Sequence, residues 1–128
     1  MSSYDPRTGA ALQAPPESTP DEVDDTVAAA VAAAGELAES VPAVGDVRGR
    51  GAMLALEFVE PGGEFGGKTP SPTTAAAVAK YCHERGVLVL TCGTYSNVIR
   101  LLPPLVIDFE LLDDAVDVLA EAVRKVAG

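Results

Sequence analysis

The closing segment of the chain constrains the fold most. Leu112, Ala115, Val116, Leu119, Ala122, Val123 and Val126 recur at three- and four-residue spacing, so one side of a helix is apolar. Asp113, Asp114, Asp117 and Glu121 fall on the other side, facing water. Such a helix must bury its stripe against a second layer. Asp108 stands where it can cap the N-terminus, and Arg124 and Lys125 fall in the last turn, where cations suit the helix dipole.

The second layer is readable upstream. Over 52–59, Leu54, Leu56 and Phe58 alternate with smaller residues and Glu57, which predicts a strand. Pro42 and Gly45 before it mark a turn, and Gly49 and Gly51 lead into it. The stretch EPGGEFGGKTPSP reads as a flexible surface loop. Its GGKT does not qualify as a phosphate loop, because the glycine spacing is wrong and no strand-to-helix context surrounds it. A helix follows at 73–85, with Ala75, Val78, Ala79 and Cys82 on one face and Gly86 as its stop. VLVL, 87–90, reads as a short buried strand, TCGTYSN as a turn, and 97–102 as a strand closed by Pro103 and Pro104. The short connection makes these last two strands an antiparallel pair. The expected fold is α+β: a small antiparallel sheet of about three strands covered on one side by two helices.

The front of the chain differs. Residues 1–18 mix Ser, Pro, Gly and Ala with few large apolar residues, and predict a flexible, disordered tail. The segment 19–40 reads as an N-terminal helix. Thr19 suits the N-cap, Pro20 the first helical position, and Glu22 a capping box. Val23, Val27, Ala30, Val31 and Ala34 recur at helical spacing to about residue 34, and Gly35 weakens the end.

Charge excludes some function classes. The net charge is −10 and the pI about 4.3, with eight acids against one base over residues 1–40. Nucleic acid and anionic membranes need clustered cations, so neither is expected. No apolar run approaches the ~20 residues of a membrane span, and the start has no signal-peptide core, so a cytoplasmic chain is expected. Cys82 and Cys92 read as free thiols rather than a disulfide, and His83, beside Glu84 and Arg85, as a solvated side chain. No metal site is expected.

The residue that asks for a function is Arg100. In TCGTYSNVIRLLPPL, 91–105, it stands between Val98–Ile99 and Leu101–Leu102. A guanidinium cannot discharge on burial, so it needs an anion nearby. Either the protein supplies that anion, with Glu57 a candidate, or a ligand does.

VRGRGAMLALEFVEP, then GVLVLTCGTYSNVIRLLPPLVI, then a closing helix near LLDDAVDVL resemble, in order and spacing, the C-terminal small domain of class III, pyridoxal-phosphate (PLP)-dependent aminotransferases. The likeness is greatest to the 4-aminobutyrate (GABA) aminotransferases and covers about residues 41–128. It implies that Arg100 grips the α-carboxylate of a glutamate or 2-oxoglutarate-type partner. Residues 5–34, with DPxTG and TPxEVDxxVxAA patterns, resemble the start of NAD-dependent aldehyde dehydrogenases. The two likenesses together imply a fusion.

The resemblance also implies what to look for elsewhere. A PLP transaminase needs a Schiff-base lysine, an acid on the pyridinium nitrogen and a phosphate cup. In this family those lie in the large domain. Lys68, Lys80 and Lys125 do not stand in a matching context, and neither cysteine stands where a dehydrogenase nucleophile would. The expectation is a fragment that keeps the carboxylate arginine, has no catalytic, cofactor-binding or metal residue, binds no PLP alone and does not transaminate by itself. The alternative is a non-catalytic interaction module that docks on a transaminase or aldehyde dehydrogenase partner, or on a second copy through the apolar face a small domain normally covers.

Overall fold

Alternation along Met53–Phe58 organises the molecule. In a computed structural model, which describes residues 20–104 and 106–128, Leu54, Leu56 and Phe58 are buried while Met53 is exposed. The elements in order are α1 (Pro20–Ser40), β1 (Val44–Arg50), β2 (Met53–Phe58), α2 (Glu64–Gly67), α3 (Pro72–Glu84), β3 (Leu90–Cys92), β4 (Val98–Leu101) and α4 (Phe109–Ala127). The strands form one antiparallel sheet in the order β1-β2-β4-β3. Three longer helices cover one face: α3 packs under β2, β3 and β4, α4 lies against α3, and α1 against α4 and β1. The other face has no helix on it among the described residues. The fold is the expected α+β, with a fourth strand and a third covering helix.

The fourth strand, β1, is an expectation corrected. VGDVRGR has no apolar alternation, and only Val44 is buried. It is an edge strand, held by its backbone ladder to β2 from Arg50↔Met53 to Val44↔Phe58. The ladder needs glycine at Gly49, where an added Cβ would collide with the Leu54 side chain and the Met53 carbonyl.

The third covering helix is the N-terminal one read over 19–40: α1 passes through Gly35 to Ser40 and puts Ala34 and Leu37 into the core shared with Phe58, Val78 and Leu119. Val31, assigned to the apolar face, is 45% exposed. The Thr19 cap, the side chains of Glu22, Val23 and Val27, and the tail over 1–18 lie outside what the structure describes.

A further correction falls on 87–90. Leu88 is 86% exposed and Leu90 61%, and only Val89 is buried, so the strand begins at Leu90. The Gly86 stop explains the delay. Gly86 takes φ +80°, its N–H donates to the His83 carbonyl, and the Val87 N–H donates to Cys82. These two bonds make a Schellman cap, which spends 85–89 on reversing direction.

The remaining assignments hold closely. Ala75, Val78, Ala79 and Cys82 are the buried face of α3, and Asp108 caps α4 by accepting the Glu110 N–H at 3.0 Å. Leu112, Leu119, Ala122 and Val123 are buried along α4, joined by Ala120; Ala115, Val116 and Val126 are half-buried. The segment between β2 and α3, read as a flexible loop, is instead an ordered excursion that carries the one-turn α2 and is tied to itself: Glu60 N–H donates to Thr69, the Thr69 hydroxyl donates to Glu64, and Val59 bridges Pro70.

Tyr81 joins α3 to α4. Its hydroxyl donates to Glu121 at 2.7 Å, and the Arg85 guanidinium lies 3.5 Å from the ring centroid. Lys125, 2.9 Å from Glu121, and then Tyr81 hold the Glu121 carboxyl below its ordinary range. A lowered carboxyl stabilises the fold above its ordinary pKa and ceases to as pH falls through the lowered value; solvent screening at this surface pair leaves little of the effect.

Phe58→Ala should cost ~3–5 kcal/mol and Gly86→Ala about 1 kcal/mol in urea unfolding, because one removes a wholly buried ring and the other strains a left-handed residue. The opposite order would contradict the packing described. Both thiols are free. Burial pushes the Cys82 thiol up, with Arg85 opposing weakly, so a thiol reagent should label half-buried Cys92 in the native state and Cys82 only with unfolding.

Candidate carboxylate site

Arg100 is on β4, a central strand. Its Cα partners are Ala55 on β2 and Leu90 on β3. Ile99, fully buried, and Leu101, half-buried, point to the helix layer. Alternation therefore turns Arg100 to the helix-free face, where it is exposed. The permanent cation stands in an apolar strand because only the neighbours face the core.

The acid considered for Arg100 is engaged elsewhere. Glu57 Oε2 accepts from Arg48 Nη1 at 2.5 Å, and the same nitrogen lies 2.8 Å from Asp46 Oδ2. Asn97 Nδ2 donates to Glu57 Oε1 at 3.4 Å. The Glu57 hydrogen bond and then that of Asp46 raise the Arg48 guanidinium above its ordinary range. Among the described residues no carboxylate pairs with Arg100.

Asn97 fixes the start of β4. It is 2% exposed, donates through Nδ2 to the Phe58 carbonyl at 2.9 Å, and accepts the Phe58 N–H on its own carbonyl at 2.7 Å. Arg100 is thus three residues from a buried anchor. The helix side of β4 borders a mostly apolar groove of about 480 Å³ lined by Leu54, Leu101, Leu112, Ala115 and Leu119; Arg100 is among its lining residues, but the face to which its strand turns it is the other one. The other charged residues lining it are Arg85 and Asp114.

Sequence reasoning found Arg100 but gave no role to Arg48, Asp46 or Asn97. The Arg48–Glu57 contact needs the β1–β2 register, and β1 itself was not legible. Asn97 lay inside the quoted motif, and its only signal was a polar residue directly before an apolar strand.

The residues present do not fit PLP. The chain's three lysines are Lys68, Lys80 and Lys125, all exposed. Lys68 follows the one-turn helix α2, Lys80 lies 3.9 Å from Glu84, and Lys125 is paired with Glu121. A Schiff-base lysine needs a desolvated cleft that lowers its pKa, and none of the three has one. Among the described residues no three His, Cys, Asp or Glu converge as a metal site requires. His83 is exposed and its Nε2 is 2.9 Å from the Val89 carbonyl, so this nitrogen carries the hydrogen. No described helix is long and apolar enough to cross a membrane.

Comparison with known proteins points one way. The aminotransferase class-III family profile matches residues 14–123. The 4-aminobutyrate aminotransferase of Mycobacterium leprae is 49% identical over 77 residues, 60% of this chain and 16% of that protein. The 5-aminovalerate aminotransferase DavT of Pseudomonas putida is 37% identical over 92 residues, 72% of this chain and 21% of that protein. Among solved structures, an Arthrobacter phospholyase in complex with phosphoethanolamine superposes with TM-score 0.73 and 27% identity over 80% of this chain and 24% of its own. The PMP-bound aminotransferase of Vibrio fluvialis gives 0.68 and 26% over 83% and 23%. The chain thus spans about a fifth of the length of the curated relatives it matches.

Asn97→Ala should destabilise by roughly 1 kcal/mol, since it removes the buried side-chain hydrogen bond to the Phe58 carbonyl, which keeps the Ser71 N–H. Thermal unfolding checks this; a variant as stable as the parent would show that the anchor is dispensable.

Proposed function

The chain belongs to the class-III aminotransferase family, and we propose that it is the substrate-carboxylate part of a 4-aminobutyrate-type aminotransferase. Arg100 is its gripping residue. In this reading the guanidinium offers two parallel hydrogen bonds to the α-carboxylate of glutamate or 2-oxoglutarate. One observation carries it: Arg100 is exposed on the helix-free face with no carboxylate partner among the described residues, while Glu57, its diagonal neighbour in the register, is held by Arg48. Amino-group transfer needs PLP, and the exposed settings of Lys68, Lys80 and Lys125 support the reading that none of them forms its Schiff base. The proposed chain therefore binds the carboxylate and does not transaminate by itself.

A second reading is favoured by exposed apolar residues. Met53 is 43% exposed, Leu90 61% and Tyr95 65%; Met53 and Leu90 stand on the helix-free face. As an interaction module the chain would cover that face with a transaminase subunit or a second copy. The likeness of residues 5–34 to aldehyde dehydrogenases enters only as an origin by fusion. The packing of α1 into the common core favours the class-III reading of residues 20–40.

Titration with 2-oxoglutarate followed by NMR should show weak binding, in the millimolar range expected of one solvated arginine, lost in Arg100→Ala. Equal binding by both chains would remove Arg100 from the reading. Incubation with PLP, 4-aminobutyrate and 2-oxoglutarate should yield no glutamate; steady turnover by the purified chain would refute the inactive-alone proposal. Co-elution with a full-length class-III transaminase would favour the module.

A further inference from the structure

The register places Glu57 between two arginines. On the helix-free face one row across the sheet reads Asp46–Glu57–Val98–Cys92, and the next reads Arg48–Ala55–Arg100–Leu90. Arg48 is one strand to one side of Glu57 and one row along. Arg100 is one strand to the other side and the same row along. Both are diagonal neighbours, at the ~7–8 Å spacing that long side chains bridge. By backbone position alone the Glu57 carboxylate can pair with either.

The side chains resolve the choice. Oε2 is taken by Arg48, whose Nη1 is also drawn to Asp46 at 2.8 Å, and Oε1 is turned toward Asn97 Nδ2. Asn97 is buried and pinned to Phe58, so it holds its side of the carboxylate in place. Ala55, directly between the two arginines in the row, is too short to obstruct either.

Resting on the proposed carboxylate role of Arg100, we propose that Arg48 is a positioning residue: by holding Glu57 it keeps that acid off Arg100 and leaves the guanidinium open to a ligand carboxylate. Without Arg48, Glu57 becomes an internal competitor for the same two hydrogen bonds. An intramolecular carboxylate one diagonal away has an effective concentration that a dissolved one rarely reaches.

Two readouts separate this from the reading it rests on. The first needs no ligand: the Arg100 Nε–Hε NMR signal and its hydrogen exchange. In the parent chain the signal should exchange fast. In Arg48→Ala it should shift and become protected, and in Arg48→Ala/Glu57→Gln it should revert. The second is 2-oxoglutarate affinity. Arg48→Ala should weaken it on the order of 10-fold, the size of one displaced charge-assisted bond. The double variant should return to near the parent value, because it loses one positive and one negative charge and leaves the local charge unchanged. If Arg48→Ala does not fold, Arg48→Gln serves in both roles. An unmoved Arg100 signal in the single variant overturns the positioning role, as does a double variant that fails to revert. If the signal moves as described but the parent chain binds no 2-oxoglutarate, the carboxylate reading fails and the positioning role stands. If Arg100→Ala abolishes binding while Arg48→Ala changes neither readout, the reverse holds.

Discussion

Ile99 has no exposed surface, and its seat between β2 and the helix layer sets the facing of β4. A strand has two faces, so burying Ile99 sends Arg100 outward. A slip of one residue would bury the guanidinium among Leu56, Val78 and Leu119 and expose Ile99, an exchange costly on both counts. The Asn97 bonds to both the N–H and the carbonyl of Phe58 oppose that slip at the start of the strand. Core packing and the candidate site are thus one constraint: what holds the sheet to the helices also aims the arginine.

The same logic shows what could be read before any coordinates. Leu54, Leu56 and Phe58 were legible because alternation is a side-chain signal and β2 is a central strand. The faces of α3 and α4 were legible because each buries a stripe. β1 was not, because an edge strand made of glycine, arginine and aspartate gets its structure from pairing rather than burial. α1 was legible over nearly its whole length: Gly35 weakens it by propensity, and burial of Leu37 carries the helix on to Ser40. At VLVL the apolar run looked like a strand, yet the cap at Gly86 spends these residues on a turn.

The site was half legible for the same reason. An arginine amid apolar residues is visible in a line of letters. Which acid it meets depends on a neighbouring strand. Glu57 was weighed as the partner of Arg100, and the register makes that pairing geometrically reasonable; the difference lies in Arg48 on the strand that could not be read. Family likeness accounts for the role proposed for Arg100, whereas the engagement of Glu57 comes from cross-strand geometry.

The two borders of the sheet differ in a way that bears on how copies meet. β1 is long but carries Asp46, Arg48 and Arg50, and charges along a free border discourage another strand from adding on. β3 is three residues long and follows Leu88, the most exposed of the large apolar side chains among the described residues, with Leu90 also bare. Crowded molecules will therefore stick first along the Leu88–Leu90 margin, and its brevity limits how far such a ladder can grow. A lysine placed there would improve solubility without touching the helix layer.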